Sequence, residues 1–126
     1  MAEAFFNKYS RKNRAVSAGL GRYPRSAASP KGIRASIKVL DEVGVKMPYR
    51  LGRPVRKEDV QKAGMVVVLL DKEHRYLLPG YVVDSAKTRY YSIHDSDARL
   101  RSFLDQHRRN RDTVKRIVLG LVKKIG

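Results

Sequence analysis

Gly64-Met-Val-Val-Val-Leu-Leu-Asp71 holds an unbroken aliphatic run, rich in β-branched valine, between a glycine and an aspartate. It is far too short to cross a bilayer and lacks the three-four spacing of an amphipathic helix. It reads instead as a strand covered on both faces, as in parallel sheets. Downstream, Asp71 to Leu78 reads as helical until Pro79-Gly80, and Thr88-Arg-Tyr-Tyr-Ser-Ile93 as a less apolar strand. Leu100, Phe103, Leu104, His107, Val114, Ile117, Val118, Leu121, Val122 and Ile125 then fall at three-four spacing along one long helix. Upstream, Gly64 ends a brief helix over Val55 to Ala63, with Glu58 and Asp59 in its first turn, and Leu51 to Pro54 is a linker.

Further toward the N-terminus, Ser29-Pro30 gives a cap and a first-turn proline for a helix that buries Ile33, Ile37, Val39 and Leu40 and stops at Gly44. Ala15-Val-Ser-Ala18 is a short strand candidate, followed by a loop with Arg22, Tyr23, Pro24 and Arg25. Ala2, Phe5, Phe6 and Tyr9 make the opening stretch an amphipathic helix with no capping residue before it. Strands alternating with helices imply a parallel sheet of βαβ units in one domain, residues 1–126. Ligands of such sheets bind beyond the carboxyl ends of the strands, here the loops after Ser17, Leu70 and Ile93.

The chain's 126 residues include 28 Lys and Arg against 12 Asp and Glu, a net charge of +16, and no Cys. The missing cysteine excludes disulfides, thiolate zinc sites and a cysteine nucleophile within this chain. No apolar segment reaches bilayer length and the N-terminus lacks a signal-peptide profile, so the expectation is a soluble, cytoplasmic protein with no membrane partner. The positive excess attracts polyanions, phosphorylated substrates and nucleic acid alike. One reading is therefore a small basic nucleic-acid-binding or ribosome-associated protein.

Asp95 and Asp97 follow directly on the Ile93 strand, where a positioned carboxyl could serve as general acid; Asp97 or Ser96 could equally cap the last helix. Asp95 is the better chemical candidate. Asp71, Glu73 and His74 sit on one turn, point apart and lack a second ligand at i+4, so neither metal nor cofactor is expected. His94 lies at a strand end, and His107 on an apolar helical face reads as a structural histidine. Phosphate-binding glycine loops, dinucleotide fingerprints and nucleophile elbows are absent.

In their order these segments resemble the low-molecular-weight protein tyrosine phosphatase family, which includes arsenate reductases and protein-arginine phosphatases. Met1-Ala-Glu-Ala-Phe-Phe is similar to the start of that family's first helix, Val16-Ser-Ala-Gly19 to its second strand and turn, and Ala28-Ser-Pro-Lys to its second helix. Arg53-Pro-Val55 with Glu58-Asp-Val60 resembles the stretch before its third strand. Met65 to Leu70 with Asp71-Lys-Glu-His74 resembles that strand and its exit, Ile93-His-Asp-Ser96 stands where the family carries Asp-Pro, and Arg111-Asp-Thr-Val114 resembles the last helix. The resemblance implies a three-layer α/β/α fold with a parallel sheet in the order 2-1-3-4.

It also implies a gap. The family's first strand is central and leads into a Cys-x5-Arg-Ser-Pro loop, on whose proline a Met-Ala-Glu-Ala segment follows; this chain starts at that methionine. The loop supplies the thiolate, the backbone nest for phosphate and the clamping arginine. By resemblance Asp95 would be the general acid, Ser17 would buttress the loop, and Tyr23 would stand in the wall beside the substrate. The family's histidine before Arg-Pro aligns with Arg50, and Asp95 is followed by Ser96 rather than proline. The expectation is an N-terminally truncated domain, inactive as this chain, with Met1 an internal methionine taken as a start or the product a genuine remnant. Losing a central strand leaves unpaired backbone groups costing about 1–3 kcal/mol each, heavy for a domain of roughly 5–15 kcal/mol.

Overall fold

The computed structural model describes residues 1–20, 30–50, 52–94, 96–97 and 99–125. Its elements are α1 (Ala2–Tyr9), α2 (Pro30–Asp41), α3 (Lys57–Lys62), β1 (Val66–Leu69), a 3-10 helix (Lys72–Leu77), α4 (Gly80–Val83), β2 (Thr88–Tyr91) and α5 (Phe103–Ile125). β1 and β2 pair in parallel, with Val66 opposite Thr88 and Leu69 opposite Tyr91. A parallel pair needs a crossover, which the 3-10 helix and α4 supply.

Successive side chains of a strand point to opposite faces, and β1 follows that rule. Met65 and Leu69 pack on an apolar cluster built from Phe5 and Phe6 of α1, Leu40 of α2, Val45, and Val114, Val118 and Leu121 of α5. Val66, Val68 and Leu70 pack on a second cluster with Val60 of α3 and Val82 of α4. Helices thus cover both faces of a parallel sheet, the α/β layering expected of the sequence. Complete burial of the run is not reached: Val67 stays 36% exposed.

α2 ends as its sequence dictates. Gly44 adopts φ 74°, in the left-handed region that glycine enters without a Cβ clash. The Val45 N–H then reaches back to the Leu40 carbonyl and the Gly44 N–H to that of Asp41, the paired bonds of a Schellman stop. α2 is fastened to α5 by Arg111, which donates to the Val39 carbonyl at 3.0 Å, and by Glu42, which accepts from both Arg108 and Arg111. Those guanidiniums hold the Glu42 carboxyl below its ordinary range, Arg108 having the larger effect.

Two further sequence expectations change. Ala15 to Ala18 is not a strand: the Asn7 side chain takes the N–H and carbonyl of Ala15 that a neighbouring strand would need, and only Gly19 makes a bridge, parallel to Pro54. Pro79-Gly80 ends the preceding helix as expected, the 3-10 helix stopping at Leu77, and also starts another. Pro79 caps α4, and its carbonyl accepts from the Val82 and Val83 N–H groups. Leu100 lies in a turn before α5 and is 50% exposed, outside the buried stripe. Among the described residues no helix is long and apolar enough to cross a membrane.

Candidate functional site

Two polar constellations flank the sheet. The first gathers at the N-terminus of α1. Ser17 Oγ donates to Glu3 at 2.7 Å, and the same carboxylate accepts twice from Arg50, at 3.1 and 3.2 Å. The segment carrying Ser17 is anchored at Gly19, whose N–H donates to the Arg53 carbonyl and whose carbonyl accepts from the Val55 N–H. Arg53 in turn forks onto both oxygens of Asp59, at 2.7 and 3.1 Å, and Asp59 also accepts from the Arg56 N–H at the start of α3. Those contacts, the Arg53 fork first, lower the Asp59 carboxyl to about 2. A groove of about 750 Å³ opens over this region, lined by Glu3, Asn7, Ser17, Lys46, Arg50 and Arg53. Lys46, Arg50 and Arg53 are each paired with a carboxylate, so the groove's positive excess comes from Lys8 and Arg14, which also line it.

The second constellation stands where β1 and β2 end. Asp71, 7% exposed, caps the 3-10 helix by accepting from the His74 N–H and also bonds the His74 ring. The other Asp71 oxygen lies 3.5 Å from Nδ1 of His94, so two histidines separate in sequence converge on one carboxylate. Asn110 of α5 holds the following loop by donating to the His94 carbonyl at 2.7 Å and to Ser96 Oγ at 3.2 Å. Ser96 is buried, whereas Asp97 pairs with Arg99 and its N–H donates to Gln106. Among the described residues no group of three His, Cys, Asp or Glu could hold a metal ion.

Of the residues singled out from sequence, Ser17 is placed in the first constellation, while Asp95 and Tyr23 lie outside the described residues. Sequence reading missed both Glu3 as a hub and Asn110. The available signal for Asn110 was a poor helix former in the middle of α5. His107 does prove structural: it is 1% exposed, with Nε2 3.0 Å from Ser36 Oγ. Chemically, the described groups orient and bind. Ser17 donates to the Glu3 carboxylate, which Arg50 also holds, and the chain has no cysteine.

Helices on both faces of a parallel sheet, with polar groups gathered at the strand exits, define an α/β protein. More narrowly, the family model of low molecular weight phosphotyrosine protein phosphatase matches residues 1–121, and the chain belongs to that family. A solved structure described as an arsenate reductase in the intermediate state is similar over 99% of this chain and 87% of its own, at 24% identity and a TM-score of 0.71. That likeness is one of fold. No curated protein matches the sequence.

Proposed function

We propose that this chain is a phosphatase-family domain that does not itself hydrolyse phosphomonoesters, because it carries no cysteine to attack phosphorus. The family match over residues 1–121 combined with zero cysteines carries the reading. In a chain bearing the Cys-x5-Arg-Ser-Pro loop, the thiolate would form the S–P bond while Asp95 gave its proton to the departing oxygen, and water would then cleave the cysteinyl-phosphate. No metal or cofactor enters that scheme. Ser17 would brace the loop, a role its bond to Glu3 suits, and Tyr23 would stand beside the substrate, a phosphotyrosine- or phosphoarginine-bearing protein of the cytoplasm.

The test is turnover of p-nitrophenyl phosphate and a phosphotyrosine peptide by the purified 126-residue chain. Release of product no faster than in a protein-free blank is the expected result. Vanadate-sensitive turnover would overturn the inactivity.

A further inference from the structure

Two stretches of the chain contain no Asp or Glu, residues 4–40 and 113–126. The fold joins them. α1 packs on α5, Tyr9 and Ile125 share one apolar cluster, and the Asn13 side chain donates to the Ile125 carbonyl at the end of α5. Arg11 and Lys12 are thereby brought to the same end of the molecule as Lys123 and Lys124, with Arg116 two turns earlier on α5, while Arg14 lines the groove beside Glu3. All five are exposed, and among the described residues none forms an ion pair. Five arginines elsewhere are neutralised, Arg50 by Glu3, Arg53 by Asp59, Arg99 by Asp97, and Arg108 and Arg111 by Glu42, so what sets this end apart is the meeting of two acid-free stretches. The negative end of a helix dipole accounts for Lys123 and Lys124. It does not account for Arg11 and Lys12, which lie beyond α1.

We propose that this ridge, Arg11, Lys12, Arg116, Lys123 and Lys124, docks the phosphate backbone of duplex nucleic acid without reading its sequence. Phosphates are the partner because uncompensated Lys and Arg gain affinity by releasing counterions from a polyanion. A bilayer is disfavoured because α5 turns Val114, Val118 and Leu121 into the core, leaving no broad apolar face to insert. Single strands are disfavoured because no aromatic side chain among these residues offers a base a stacking surface. The inference is independent of the phosphatase reading and stands or falls by a different measurement.

That measurement is binding of a short mixed-sequence duplex by fluorescence anisotropy across about 50 to 200 mM salt, where log affinity against log salt falls with a slope of about 0.9 per phosphate neutralised. Arg11→Gln, Lys12→Gln, Lys123→Gln and Lys124→Gln in one chain should flatten the slope by about 3.6. Lys38→Gln, Lys57→Gln, Lys62→Gln and Lys72→Gln, an equal change of charge at exposed sites elsewhere, should leave it nearly intact. In the unaltered chain, amide shifts on titration should concentrate in residues 8–14 and 115–124, a readout that requires no variant to fold. Equal flattening in both variants, salt-insensitive or absent binding, amide shifts spread evenly over the chain, or patch-dependent binding to phosphatidylserine vesicles without duplex binding would each overturn the proposal.

Discussion

His107 is the residue whose chemistry the fold has altered most clearly. Burial disfavours its imidazolium and pulls the pKa below the ordinary 6.5, with a smaller push from the N-terminal ammonium and a partial offset from a backbone hydrogen bond to Gly32. The unfolded chain therefore binds a proton here at pH values where the folded chain does not. Stability from this group is complete above 6.5 and declines as pH falls below it, toward the depressed folded value. Urea midpoints measured from about pH 7.5 to 5.5 should fall more steeply for the unaltered protein than for His107→Gln; parallel curves would remove His107 as the cause. The sequence shows His107 on an apolar face, which suffices to predict a structural role. It could not show Ser36, seventy-one positions away, as the partner. Glu3 escaped for the same reason: its two partners, Ser17 and Arg50, lie fourteen and forty-seven positions off.

At the scale of elements, legibility follows locality. α1, α2, α3 and α5 are coded by spacing, first-turn acids, Pro30 and Gly44, all signals within a few residues, and their limits fall close to those read. The stretch at Ala15 failed because a strand is completed by its neighbour, and its hydrogen bonds went to Asn7 instead. α1 is short, and isolated helices of its length are marginal in water, so its stability comes from Phe5 and Phe6 packed against α5. Phe5 is fully buried. Phe5→Ala should cost about 3–5 kcal/mol in urea unfolding, a large share of the roughly 5–15 kcal/mol of an ordinary domain. A loss below about 1 kcal/mol would mean that α1 contributes little to the core.

The whole molecule sets charge against a sheet that has two strands among the described residues. Among the described residues only β1 and β2 pair, and Val67 on β1 and Val16 beyond α1 are 36% and 77% exposed. Open strand edges invite pairing between chains, and a net charge of +16 keeps chains apart at low salt. The Debye length shrinks from about 10 Å at 0.1 M to about 3 Å at 1 M, so light scattering should rise with salt and Val67→Lys should suppress the rise. Scattering that is flat over this range would show the edge to be inert. The low-molecular-weight phosphatase family, the parallel sheet with helices on both faces and the absence of a cysteine nucleophile were all determined by the sequence alone, since each rests on local pattern or residue count. Only the tertiary structure decided that Ser17, Glu3 and Arg50 form one cluster, that His74 and His94 share Asp71, and that two acid-free stretches meet at Asn13 and Ile125. These are contacts between residues far apart along the chain, and hydrogen bonding and charge act through space while sequence pattern records only neighbours.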